Sequence, residues 1–145
     1  MMRRLHAGAN RQLPAPTDMN AAGSWPGTMA AIAIGAVLGA WARWGLGLWL
    51  NRPDAAVPGG TLTANLVGGL LIGIFLALVD RRPEWAALRP LLVTGFLGAL
   101  TTFSTFSAES LQLMQRGAYA QMVLHSALHL VGSVAASAIG FKLMR

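Results

Sequence analysis

Residues 94–109 read TGFLGALTTFSTFSAE, from Thr94 to Glu109. Glycines at 95 and 98 precede hydroxyl side chains at Thr101, Thr102, Ser104, Thr105 and Ser107, with Phe103 and Phe106 set among them. β-Branched residues lose rotamer freedom in a helix, and hydroxyls compete for its backbone hydrogen bonds. The stretch nevertheless lies in an uncharged run that begins near Pro90. A poor helix former inside an apolar span predicts a helix broken at bilayer depth. Irregular backbone is tolerated there only where protein buries it or where it lines a site, and freed carbonyls are natural cation ligands. The competing reading has each hydroxyl bonding back to its own helix. For Phe103 and Phe106, ordinary packing competes with a role for the positive ring edge, which helps an anion along a narrow path without offering a full charge.

The rest of the chain agrees with a membrane setting. Its 145 residues are 54% hydrophobic and 11% charged, with 17 glycines and no cysteine. Soluble domains carry about 25% charged residues, so this chain is too poor in charge to cover a water-facing surface. A large soluble enzyme, a disulfide-built domain and a cysteine zinc site are all disfavoured. The net charge of +6 comes from basic residues flanking apolar runs and not from one block, which argues against a nucleic-acid partner.

Four apolar spans are expected, over about 29–50, 61–79, 90–114 and 118–141, making residues 29–145 one all-α integral membrane domain. The first span holds roughly 22 residues and reaches about 33 Å at 1.5 Å each, enough to cross. Residues 51–60, NRPDAAVPGG, mark a turn, and Arg116 with Gly117 make a very short connection. Residues 1–28 read as a disordered polar tail, because Asn10, Arg11, Gln12, Pro14 and Pro16 interrupt any signal-peptide core. Met19 and Met29 are alternative starts that the sequence leaves open. Arg3, Arg4, Arg11, Arg81, Arg82, Arg89, Lys142 and Arg145 lie on the side of the N-terminus, against Arg52 and Arg116 on the other. The positive-inside rule then places both termini in the cytoplasm.

The informative residues are those that lipid does not explain. In span one, Gly35, Gly39, Arg43 and Gly47 share a face at four-residue spacing. The glycines suit close helix packing. An arginine inside a span costs at least about 2.5 kcal/mol, so Arg43 either snorkels or pairs, or it attracts anions. Asn65, Gly69 and Gly73 form a stripe in span two, where the amide either bonds a neighbouring helix or lines a path. Glu109 either marks the end of span three or pairs with Arg43. Span four carries His125, His129, Ser133 and Ser137 at four-residue spacing, with pore lining and interhelical bonding as the main readings. Two histidines at i, i+4 can hold zinc, but no HExxH glutamate or third ligand is evident.

Three ordered motifs, Gly39-Ala40-Trp41-Ala42-Arg43-Trp44, Gly60-Thr61-Leu62-Thr63-Ala64-Asn65 and the stretch from Thr94 to Glu109, together resemble the small fluoride-channel family, Fluc or CrcB. The resemblance covers essentially everything from Met29 onward. It implies an antiparallel, dual-topology homodimer of four-helix subunits in the bacterial inner membrane, with two narrow pores exporting fluoride passively. By the same resemblance, Asn65 is the pore-lining amide, and Phe103 and Phe106 are the aromatic pair whose edges face the ions. Gly98 and Thr101 match positions whose carbonyls hold a structural sodium ion at the dimer centre. Arg43 and Glu109 match a membrane-embedded arginine and the acidic residue after the aromatic pair, with Thr102 beside them as support. Ser133 fits the family's hydroxyl track on span four, whereas His129 departs from it and a protonated form would add charge to the path. The Lys/Arg bias also sits uneasily with dual topology. The alternatives are a small multidrug-type exporter, which would want an acidic residue where span one has Arg43, and a non-conducting scaffold. An enzyme is disfavoured because no nucleophile, base and orienting group stand together.

Overall fold

A computed structural model describes residues 25–52, 55 and 57–145, so the tail expected over 1–28 lies outside the described residues as far as position 24. Every regular element among the described residues is helical. Helix α1 (Trp25–Leu50) is followed by α2 (Gly59–Arg81) and a short 3₁₀ turn at Pro83–Leu88. A π-helical stretch, Pro90–Leu97, leads into the single turn α3 (Gly98–Leu100), and α4 (Phe103–Gln115) and α5 (Tyr119–Leu143) complete the chain. Four segments, Trp25–Leu50, Gly59–Arg81, Pro90–Gln115 and Tyr119–Leu143, are long and apolar enough to cross a membrane.

The boundaries differ from the expected spans mainly at the first. Helix α1 begins at Trp25, not Met29, so the four residues before Met29 belong to the helix and not to the tail. Pro26 explains the difference, because a proline in the first turn gives up an N–H that has no intrahelical partner anyway. The connection after α4 is set by Gly117, whose φ of +70° suits glycine. Gly117 N donates to Met114 O and Ala118 N to Leu113 O, both at 2.9 Å. This pairing satisfies the last carbonyls of α4 and reverses the chain within two residues.

Glycines bring the backbones together. A Cβ on Gly69 would lie 2.7 Å from the Ser133 carbonyl of α5, and one on Gly95 would lie 2.6 Å from the Ile32 carbonyl of α1. Small residues at such crossings replace the hydrophobic drive that lipid removes. The buried apolar set is accordingly small, with Ala64, Leu97 and Leu100 at its centre, while Trp41, Trp44 and Trp49 face outward. The outward apolar surface is what lipid contact requires.

Between α3 and α4 the helical backbone stops. Thr101 (φ −78°, ψ 152°) and Thr102 (φ −150°, ψ 116°) are extended. Thr102 then caps α4, its hydroxyl oxygen accepting from Thr105 N at 3.1 Å. A threonine at this position satisfies one of the orphan donors of the new helix.

Candidate functional site

The extended pair leaves backbone groups that neighbouring helices must satisfy. Asn65 of α2 supplies two of the bonds. Thr102 N donates to Asn65 Oδ1 at 2.8 Å, and Asn65 Nδ2 donates to Thr102 O at 3.2 Å. One side-chain amide thus pairs with both polar groups of one residue, as a neighbouring strand would. The pairing also fixes which way the amide points, since turning it would set oxygen against oxygen. Asn65 Nδ2 lies 2.9 Å from His129 Nδ1 as well. With Nδ2 a donor only, His129 Nδ1 accepts and the ring proton sits on Nε2.

Arg43 reaches the same region from α1. Its Nε donates to Ala99 O at 2.9 Å, capping the carbonyl end of the first half of the third span. A cation at a helix C-terminus is favoured by the exposed carbonyl dipoles there. Among the described residues Arg43 therefore makes no ion pair with Glu109: its bond is to the backbone immediately before the interruption. Glu109 instead accepts from Thr61 Oγ1 at 2.6 Å, and its other oxygen lies 3.5 Å from His125 Nε2.

The hydroxyls divide between two uses. Thr101 Oγ1 donates to Leu97 O at 2.9 Å, and Ser107 Oγ to Phe103 O at 2.8 Å, so these two bond back to their own helix. Thr102 Oγ1 donates to Thr105 Oγ1 at 3.0 Å and lies 3.2 Å from Ser104 Oγ, forming a hydroxyl cluster around the cap.

An open groove of about 620 Å³ runs past the interruption, and Asn65, Gly98, Thr101, Thr102, Phe103, Phe106, His129 and Ser133 all contribute to its lining. Phe103 is 79% exposed, and its ring centroid lies 5.4 Å from that of Phe106 at an angle of 51°. Phe106 packs against both histidines, 5.2 Å from the His125 ring and 4.9 Å from the His129 ring. On the other side of the same break a second cavity, of about 500 Å³, is lined in part by Arg43, Asn51, Thr61, Thr102 and Thr105. Thr102 is common to both spaces.

Reading along the sequence misses the role of Thr61 and the partner of His125. Thr61, which holds Glu109, stands one helical turn before Asn65 on α2, and that spacing is the available signal. His125 is visible as a member of the span-four stripe, but its burial against Glu109 depends on how α4 packs on α5.

The chain has close counterparts among known proteins. The family described as CrcB-like protein, Camphor Resistance (CrcB), matches residues 30–141. A Bordetella pertussis protein named fluoride-specific ion channel FluC is 55% identical over 116 residues, covering 79% of this chain and 89% of the relative. Its namesake in Aromatoleum aromaticum is 52% identical over 124 residues, covering 85% and 94%, and one from Pseudomonas putida is 50% identical over 117 residues, covering 78% and 90%. The match takes in all four spans and every residue of the groove, and the chain therefore belongs to the CrcB family of multi-pass bacterial membrane proteins.

Proposed function

We propose that this chain is a passive, fluoride-selective channel that exports fluoride from the cytoplasm, and that the groove beside Thr101 and Thr102 is one wall of its ion path. The observation that carries the reading is the convergence of Asn65, Thr102, Phe103, Phe106, His129 and Ser133 on that groove, at the level where the third span loses its helix. Relatives at half identity or better that bear the name fluoride-specific ion channel support it.

The chemistry is that of a small, strongly hydrated anion exchanging water for protein donors, each weak enough to release it again. Asn65 acts by positioning, because its amide hydrogens are directed to Thr102 O and His129 Nδ1. Ser133 offers a hydroxyl on the groove wall, and the tilted rings of Phe103 and Phe106 offer positive edges. Arg43 fixes the end of the first half-helix and adds positive potential near the path. Phe103 and Gly98 are both exposed along the groove, and in this reading a second copy in antiparallel orientation closes it.

A structural sodium ion fits the interruption. The helical donor to Gly98 O would be Thr102 N and that to Thr101 O would be Thr105 N, but these are directed to Asn65 Oδ1 and to the Thr102 hydroxyl. Gly98 and Thr101 thus keep carbonyl oxygens for a hard cation, of the kind that unwound membrane helices supply. When bound, the ion would cross-link the two copies at their centre.

Growth of bacteria lacking their own fluoride exporter tests the function. Expression of this chain is expected to restore growth in fluoride-containing medium, and no rescue by protein that reaches the membrane would contradict the proposal. Replacing Phe103 or Phe106 by isoleucine keeps the bulk but removes the ring edge. Each variant is expected to lose most of the rescue, with unchanged rescue excluding the aromatic contribution.

A further inference from the structure

The groove leaves unexplained the buried cluster behind Phe106. His125 is fully buried, His129 is 5% exposed, and the Glu109 side chain is 13% exposed. Among the described residues, Glu109 Oε2, both ring nitrogens of His125 and Nε2 of His129 have no hydrogen-bond partner. Each buried polar atom left without a partner costs about 1–3 kcal/mol, and one atom from each of the three residues gathered together points to a guest.

We infer that Glu109, His125 and His129 form a binding site for a transition-metal dication of the zinc class. One donor atom from each lies within 4.8 Å of the other two, and His125 Nε2 and Glu109 Oε2 are 3.5 Å apart. Ligands on a tetrahedral zinc at about 2.0–2.2 Å stand roughly 3.3 Å from one another, so the carboxylate and His125 are already at ligand spacing and His129 closes the set by a small inward shift. Two imidazoles and one carboxylate are a borderline-soft donor set suited to zinc, and three protein ligands leave a coordination position open. Thr61 orients the carboxylate through its 2.6 Å bond to Oε1, leaving Oε2 for the metal. The sequence shows the two histidines at i, i+4; the third ligand comes from α4 and is supplied only by the fold.

The site is coupled to the interruption through Asn65. Coordination by His129 Nε2 needs its lone pair, so the ring proton must pass to Nδ1, by exchange with solvent. Nδ1–H then needs an acceptor where Asn65 now presents Nδ2. Turning the amide to offer Oδ1 removes it from Thr102 N and Thr102 O. Metal binding therefore works against the Asn65 pairing with Thr102, and under the conduction proposal it arrests flux.

The test adds Zn²⁺ to the full-length, tag-free, metal-stripped protein in detergent and measures stoichiometry and affinity by competition with a chromophoric chelator. One Zn²⁺ per chain is expected. E109Q and H125Q should weaken binding at least tenfold while the proteins keep their helical content. N65D should tighten it, because one carboxylate oxygen can accept from Thr102 N and the other from His129 Nδ1–H, freeing Nε2 without breaking the first bond. No saturable Zn²⁺ binding, or equal affinity in wild type, E109Q and H125Q, would overturn the site. In fluoride-loaded liposomes, saturating Zn²⁺ should reduce wild-type efflux at least tenfold, and an efflux that ignores bound Zn²⁺ would overturn the coupling. This arm alone rests on fluoride conduction; Zn²⁺ binding is read without fluoride, so failure of one is distinguishable from failure of the other.

Discussion

Asn65→Ala is expected to abolish at least nine-tenths of fluoride flux and to lower the melting temperature of the purified protein. The substitution removes both bonds that the Asn65 amide makes to Thr102. It leaves an N–H and a C=O without partners inside a membrane domain, where no bulk water replaces them. At about 1–3 kcal/mol for each unmade bond, the combined cost is about 2–6 kcal/mol, a large share of the margin on which a fold rests. The extended conformation of Thr101 and Thr102 then loses its support, and the α4 cap made by Thr102 loses its fixed position with it. Asn65→Asp is the informative partner variant. It keeps an oxygen for Thr102 N and gives up the donor to Thr102 O, so its melting temperature should fall between those of wild type and Asn65→Ala. A melting curve and flux unchanged in Asn65→Ala would show that the amide has no part in holding the break.

A second large effect on folding is expected at Gly73. A Cβ there would meet the Ser137 carbonyl oxygen, with Ser137 C at 2.8 Å and Phe141 N at 2.9 Å behind it. These are backbone atoms of α5, and they cannot step aside as a flexible side chain can. Gly73→Ala therefore forces α2 and α5 apart along their whole crossing, losing the close packing that holds membrane helices together. Overpacking of this kind typically costs about 1–3 kcal/mol, and Gly73→Leu should leave little folded protein. Gly45 supplies the contrast: among the described residues a Cβ at that position meets nothing within 4 Å. Gly45→Ala should be neutral or gain up to about 1 kcal/mol from its better helix propensity. Detergent melting curves of the two alanine variants decide the matter, and equal curves would contradict the packing argument.

The number of spans and their order are legible in the sequence because lipid imposes a simple rule of length and apolarity. The groove residues are legible for the complementary reason: Asn65, Thr102, His129 and Ser133 are polar where lipid asks for nothing polar. What sequence spacing does not carry is the pairing between spans. An Arg43–Glu109 pair is one of two readings the sequence leaves open, and the structure takes neither group there: Arg43 caps Ala99 and Glu109 goes to Thr61 and His125. Those partners are set by the glycine contacts between backbones, which decide the register of each helix on its neighbour. Asn65 is the clearest instance, since its side chain completes the backbone of a residue 37 positions away. The start of α1 at Trp25 has a local reason, the tolerance of a first helical turn for Pro26.

Fluoride and chloride efflux measured in the same liposomes reconstituted with purified protein is the most direct test of the account. With valinomycin to carry the balancing potassium, the intravesicular fluoride is predicted to escape through the protein while chloride stays behind until detergent releases it. Folded protein that releases neither anion, or releases both alike, would contradict the assignment of the groove beside Thr101 and Thr102 to a fluoride-selective path.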